Sequence, residues 1–229
     1  MSYRRASIAA GIFALAVLGG ARAVAAEQAA TGAAQDTAQP AAPETAGATP
    51  GGGIEAKAQV CFTCHGPKGA STNEKYPVIG GQQQYYLYLQ LKDFKAGRRE
   101  NAEMQPIMAA LATEDLMPLA EYFSQQRWPS LSVQVDPAKV QAGEASANAG
   151  ECSQCHLGGY NGASSVPRVA GQHLAYLEKT MLDFKSKARN NQPAMSALMA
   201  VFSDEDIAGL AQYLASLTVQ EQPGAVEIQ

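Results

Sequence analysis

Two stretches of the chain have the residue types and spacing to do chemistry: Cys61-Phe62-Thr63-Cys64-His65 and Cys152-Ser153-Gln154-Cys155-His156. Each is a C-x-x-C-H pentapeptide, the attachment signature of c-type haem. Two thiols three residues apart, on one side of a helical turn, can add to the two vinyl groups of a single porphyrin. The adjacent imidazole then reaches under the ring to the iron. The four cysteines of the protein all lie in these two motifs, and the histidine directly after each pair argues against reading them as disulfides. A zinc knuckle is set aside as well, because the pairs are 91 residues apart and a compact site needs roughly 15–20. The expected cofactors are therefore two covalently bound haem c groups. Cys61, Cys64, Cys152 and Cys155 would form the thioethers, with His65 and His156 as proximal iron ligands.

A second axial ligand must come from elsewhere. Only one further histidine, His173, exists, so imidazole cannot serve both irons. Each half places a methionine about 40 residues after its motif: Met104 and Met195, in stretches that read as loops. Thioether sulfur is a neutral, soft ligand that favours ferrous iron and raises the reduction potential. Met108 and Met199 follow a helical turn later, so one of each pair serves as core filler; the earlier is preferred. His173 reads as a surface or helix-start residue, since its repeat counterpart is Gln83. Pro77 and Pro167 each precede a Gly-Gln pair. Their carbonyls are placed either to accept the proximal Nδ1–H, a usual partner of an iron-bound imidazole, or to form a rigid turn. Tyr86, Tyr176, Phe94 and Phe184 recur at helical spacing and read as haem-packing core.

These groups are carried by an internal repeat. His65 matches His156 at an offset of 91, and Tyr76-Pro77, Gly81-Gln82, Tyr86-Leu87 and Asp93-Phe94-Lys95 reappear as Val166-Pro167, Gly171-Gln172, Tyr176-Leu177 and Asp183-Phe184-Lys185 at 90. Met104 and Met108 match Met195 and Met199 with the offset back at 91. Two similar domains are expected, at residues 54–128 and 136–220, with a linker at 129–135 and a tail at 221–229.

Helices are predicted over Ile54–Cys64, Gln82–Ala96 and Glu114–Gln126. Thr113 should cap the last of these, and Pro118 should bend it. In the second half, Asp136-Pro137 opens a helix with proline at its first position. A middle helix runs from Gln172 to Lys187, and a final one starts at the capping-box-like Ser203-Asp204-Glu205-Asp206 and ends near Leu217. No run of alternating strands is evident, and alanine is abundant. The expected fold class is all-α, a few helices wrapped around a haem in each domain. Each repeat of roughly 80 residues has a marginal core without its prosthetic group.

The chain has 229 residues and a net charge of −4. Residues 1–26 read as an export signal: Arg4 and Arg5, an apolar run from Ile8 to Leu18, and a small-residue cleavage site. That run is short for a membrane span, which needs roughly 20 residues. Residues 27–53, rich in Ala, Thr, Gln, Pro and Gly, read as a disordered leader. Periplasmic localisation follows, with membrane contact only through partners or a retained signal anchor, and no nucleic-acid partner is expected.

From Ile54 to about residue 220 the duplicated motifs resemble those of the dihaem cytochrome c4 family, periplasmic carriers built of two class I cytochrome c domains. Pro167-Arg168-Val169-Ala170-Gly171-Gln172, Arg189-Asn190-Asn191 with Met195, and Ser203-Asp204-Glu205-Asp206-Ile207 with Tyr213-Leu214 also fit. The resemblance implies axial Met104 and Met195, and a pseudo-twofold domain pair with haems close enough for electron transfer between them. The Gly-rich start, Gly51 to Ile54, and the Ala/Pro-rich leader depart from the family pattern.

The implied function is to shuttle single electrons without substrate chemistry, from a donor such as a quinol-oxidising complex to a terminal oxidase or other acceptor. An alternative is the electron-transfer subunit of an oxidoreductase, like the cytochrome subunit of flavocytochrome c sulfide dehydrogenase. The chain has no dinucleotide fingerprint of its own, so a flavin would come with a partner flavoprotein. A dihaem peroxidase needs an exchangeable iron site, which the matched methionines argue against.

Overall fold

The computed structural model describes residues 50–219, all within one compact unit. The expected signal, most of the leader and the tail lie outside these residues. Four helices make up the first half: α1 (Pro50–His65), α2 (Gln84–Lys95), α3 (Met104–Ala110) and α4 (Leu116–Ser124). Five make up the second: α5 (Pro137–Ala149), α6 (Cys152–His156), α7 (Leu174–Ser186), α8 (Pro193–Met199) and α9 (Asp204–Ser216). Among the described residues there is no strand, only an isolated antiparallel bridge between Ala163 and Val166.

The helix starts differ from the sequence reading in instructive ways. α1 opens at Pro50, inside the stretch expected to be a leader, consistent with the preference for proline at a first helical position. α2 and α7 begin at Gln84 and Leu174, two residues later than expected, because Gln82 and Gln172 turn their side chains to the opposite half. Thr113 forms no side-chain cap; Thr113–Asp115 is a 3-10 turn that leads into α4 at Leu116. Pro118 thus falls in the first turn of α4, where no intrahelical N–H bond is lost. The two ends read from capping chemistry agree closely. Asp136 accepts from the Ala138 N–H at 2.9 Å, and Ser203 and Asp206 form a reciprocal capping box.

The halves repeat one plan. α4 packs on α1 and α2, and α9 packs on α5 and α7. Leu119, Ala120 and Phe123 of α4 bury against Ala58 and Leu87. Ile207, Leu210, Ala211 and Leu214 of α9 bury against Ala147, Leu177, Met181 and Phe184. The haem-bearing helices differ: α1 runs unbroken through its motif, whereas Gly150 and Glu151, the latter at φ +50°, separate α5 from α6.

Residues 127–136 have no regular secondary structure, yet Trp128 in this connector is buried. It lies against both Gly81 and Gly171, which have φ of +72° and +60°. The Arg168 guanidinium sits 5.1 Å above the Trp128 ring. The connector is thereby pinned to both halves.

At the α5–α9 crossing the backbones meet through Gly143 and Gly209. A Cβ on Gly143 would stand 2.0 Å from the Gly209 carbonyl oxygen, and neither backbone can yield locally. Gly143→Ala is expected to destabilise the protein by about 3 kcal/mol, the upper end of usual overpacking costs. Denaturant unfolding of the holo-protein measures this; a loss below about 0.5 kcal/mol, the range of a neutral surface change, would contradict it.

Candidate haem sites

Each motif histidine is buried, and its Nδ1 lies against the carbonyl oxygen of the repeat proline, His65 to Pro77 at 2.8 Å and His156 to Pro167 at 2.9 Å. A carbonyl only accepts, so Nδ1 carries the proton and Nε2 keeps its lone pair. Burial holds both imidazoles below their ordinary pKa, partly offset by the proline hydrogen bonds. They are neutral, as metal ligation requires. Among the described residues the cysteines form no disulfide. Paired cysteines outside any disulfide, beside an imidazole with an open Nε2, fit a covalently attached haem, and the arrangement occurs twice. When bound, the haem iron supplies a one-electron couple. The proline carbonyls, left open between acceptor and turn in the sequence, are acceptors here.

The methionines separate by burial. Met108 and Met199 are 1% and 2% exposed and belong to the packed clusters. Met104 and Met195 lie at the margins of those clusters, partly exposed. They are not in loops as expected: Met104 begins α3, its N–H bonded to the Asn101 side chain at 2.9 Å, and Met195 lies in α8. These helices are seven residues each, too short for a periodic pattern to announce them.

Sequence reasoning missed the polar junction between the halves. The Gln172 amide exchanges two hydrogen bonds with the backbone of Val78, at 2.9 and 3.0 Å; Gln82 does the same with Arg168, at 2.8 and 2.9 Å. His173 begins α7 but is buried rather than on the surface, bonding through Nε2 to the Ser71 carbonyl at 2.9 Å. Its counterpart Gln83 reaches the Asn161 carbonyl at 2.9 Å, so the shared requirement is a donor, not an imidazole.

Tyr86 and Tyr176 are likewise more than core filler. Arg189 donates to the Tyr86 hydroxyl at 3.4 Å, and Arg99 to that of Tyr176 at 3.1 Å. Each guanidinium also lies over the repeat phenylalanine of its own half, Arg99 over Phe94 at 4.5 Å and Arg189 over Phe184 at 4.4 Å. Gln90 accepts from Arg99, Arg189 and Asn191. Burial pushes the Tyr176 phenol up, but the two guanidinium charges outweigh it and hold the group at about 7. The repeat offset of 90 contained the signal for this junction, because Tyr86/Tyr176, Phe94/Phe184 and Arg99/Arg189 all keep it.

Comparison with known proteins converges on this architecture. The family described as "Cytochrome C oxidase, cbb3-type, subunit III" matches residues 138–214. Cytochrome c4 of Azotobacter vinelandii is 34% identical over 184 residues, 71% of this chain and 87% of the relative. The crystal structure of reduced recombinant cytochrome c4 from Pseudomonas stutzeri superposes with a TM-score of 0.66 at 32% identity, covering 72% of this chain and 97% of that one. A protein named "Thiosulfate dehydrogenase electron acceptor" from Stutzerimonas stutzeri (strain A1501) is 29% identical over 74% of this chain and 84% of its own length.

A tandem all-helical class I cytochrome c fold with two covalent haem c groups defines a dihaem electron-transfer protein, a carrier rather than an enzyme. Identity on this scale, across most of both chains, settles the membership further: the chain belongs to the cytochrome c4 family.

The tyrosine at the junction makes a pH prediction. Its pKa is about 7 in the folded chain against an ordinary 10.0, so between those values the folded state binds fewer protons than the unfolded. Its contribution to stability therefore grows as pH rises through that window, is complete above it, and is lost as pH falls through the folded value. Arg99→Gln is expected to return the Tyr176 phenol towards its ordinary range and to flatten this pH dependence. Carbon NMR of labelled tyrosine and unfolding titrations measure both; a wild-type Tyr176 signal that does not move between about pH 6 and 8 would refute it.

Proposed function

We propose that this cytochrome is a periplasmic shuttle that takes single electrons from a respiratory-chain donor, such as a quinol-oxidising complex, and delivers them to a terminal oxidase or another acceptor. Two class I domains, 54–128 and 136–220, each hold one haem. Cys61 and Cys64 tether the first through thioethers, and Cys152 and Cys155 the second. His65 and Met104 bind one iron, and His156 and Met195 the other. The observation that carries this reading is the matched pair of buried imidazoles, each with Nδ1 committed to a proline carbonyl and Nε2 left for a metal.

The division of the methionines supports the axial assignment. Met108 and Met199 are already committed to packing, while Met104 and Met195 keep exposed surface. Two closed His/Met irons suit outer-sphere transfer, in which the protein excludes water, fixes the ligands and tunes the potential. The export signal read in residues 1–26 supports the location, and no described helix is long and apolar enough to cross a membrane.

A second reading concerns the donor. Relatives from two organisms carry the name "Thiosulfate dehydrogenase electron acceptor", which favours a sulfur-oxidising dehydrogenase upstream. Rapid reduction of the purified cytochrome by such an enzyme and thiosulfate would select it. Reduction only by a quinol-oxidising complex would select the respiratory reading.

The ligand assignment is tested optically. The oxidised holo-protein should show the weak near-infrared band of methionine sulfur bound to ferric haem, at full intensity for two irons. Met104→Ala and Met195→Ala should each remove about half of it and lower the potential of one haem. Loss of the band on replacing Met108 or Met199 instead would overturn the assignment.

A further inference from the structure

The two hydrogen-bond systems described above share a peptide group. The carbonyl oxygen of Pro77 accepts from His65 Nδ1 at 2.8 Å, and the N–H on the other side of that same peptide, belonging to Val78, donates to Gln172 Oε1 at 2.9 Å. The second half repeats this. His156 donates to the Pro167 carbonyl at 2.9 Å, and the N–H of that peptide, on Arg168, donates to Gln82 Oε1 at 2.8 Å. Val78, Gln82, Arg168 and Gln172 are all buried. Each glutamine oxygen is also held by a backbone N–H of its own half, Gln83 at 2.8 Å and His173 at 3.0 Å. Neither amide is free to swing away.

A peptide whose N–H is engaged by an acceptor carries more negative charge on its carbonyl oxygen, because hydrogen bonds in a chain polarise one another. A more negative Pro77 oxygen draws the His65 Nδ1 proton more strongly. That makes the imidazole a better electron donor through Nε2 and favours ferric over ferrous iron. We infer that each interface glutamine is a positioning residue for the iron of the opposite half: Gln172 sets the donor strength of His65, and Gln82 that of His156. The inference rests on the proposed assignment of His65 and His156 as proximal ligands. It adds a crossed connection, in which the junction between halves acts on potential and not only on docking.

The test uses holo-protein carrying Gln172→Met or Gln82→Met, substitutions close in size that remove both amide bonds. The two haems are followed separately through their proton NMR signals during potentiometric titration, with signals assigned from Met104→Ala and Met195→Ala. Gln172→Met is expected to raise the reduction equilibrium constant of the haem on Cys61 and Cys64 several-fold and to shift the His65 Nδ1–H resonance upfield. It should leave the haem on Cys152 and Cys155 nearly unchanged. Gln82→Met should give the mirror pattern. A shift confined to the glutamine's own half, an equal shift at both irons, or no shift would overturn the inference.

If the methionine variant does not accumulate, Gln172→Glu keeps an oxygen acceptor on the Val78 N–H and strengthens it. The reduction equilibrium constant should then fall more at the Cys61/Cys64 haem than at the other, and an equal or reversed response would refute the inference. Failure of the ligand assignment is distinguishable. It would show in the wild type, as a missing methionine–iron band or missing Nδ1–H resonance, before any glutamine is changed.

Discussion

A carbonyl oxygen accepts hydrogen bonds and never donates them, and at Pro77 and Pro167 this simple constraint orders the surroundings of both candidate irons. It fixes the proton on Nδ1 of His65 and His156 and turns a lone pair outward on Nε2. It also brings the loop after each motif back to the imidazole, at Pro77 in one half and Pro167 in the other. The burial that keeps the imidazoles neutral would be unfavourable for a charged side chain, but it suits a group that is to bind metal.

The junction between halves follows a different rule. Its bonds connect side-chain amides, hydroxyls and guanidinium groups to buried backbone or to one another, and four pairs of residues in it are pseudo-twofold mates: Gln82 with Gln172, Gln83 with His173, Arg99 with Arg189, Tyr86 with Tyr176. A buried polar surface of this kind costs free energy if any member is left unpaired. It therefore selects one relative placement of the halves more sharply than an apolar patch would. Trp128, caught between Gly81 and Gly171, adds the apolar anchor that the connector needs.

Much of this was legible in the residues. The cysteine–histidine spacing states its chemistry outright, the repeat offset divides the chain, and the side-chain caps at Asp136 and Ser203 mark helix starts to the residue. What was not legible has common physical causes. α3 and α8 are too short to show a period, so Met104 and Met195 read as loop residues. Thr113 has the type of a helix cap, but the backbone tightens into a 3-10 turn there instead. The partners of His173 and the two tyrosines lie some 77 to 103 positions away in sequence. A contact that distant leaves no local trace; only the exact recurrence of Tyr, Phe and Arg at one offset hinted that the positions act together.

The paired contacts between the halves are those of an isologous dimer, in which each partner offers the same patch to the other. In a true dimer of identical chains any substitution in that patch would appear twice and alter both sites alike. Joining the halves through the segment that carries Trp128 releases that restriction. Gln83 and His173 already differ, and so do the unbroken α1 and the divided α5 and α6. One covalent connection thus lets the two halves diverge in sequence while the interface they share is kept.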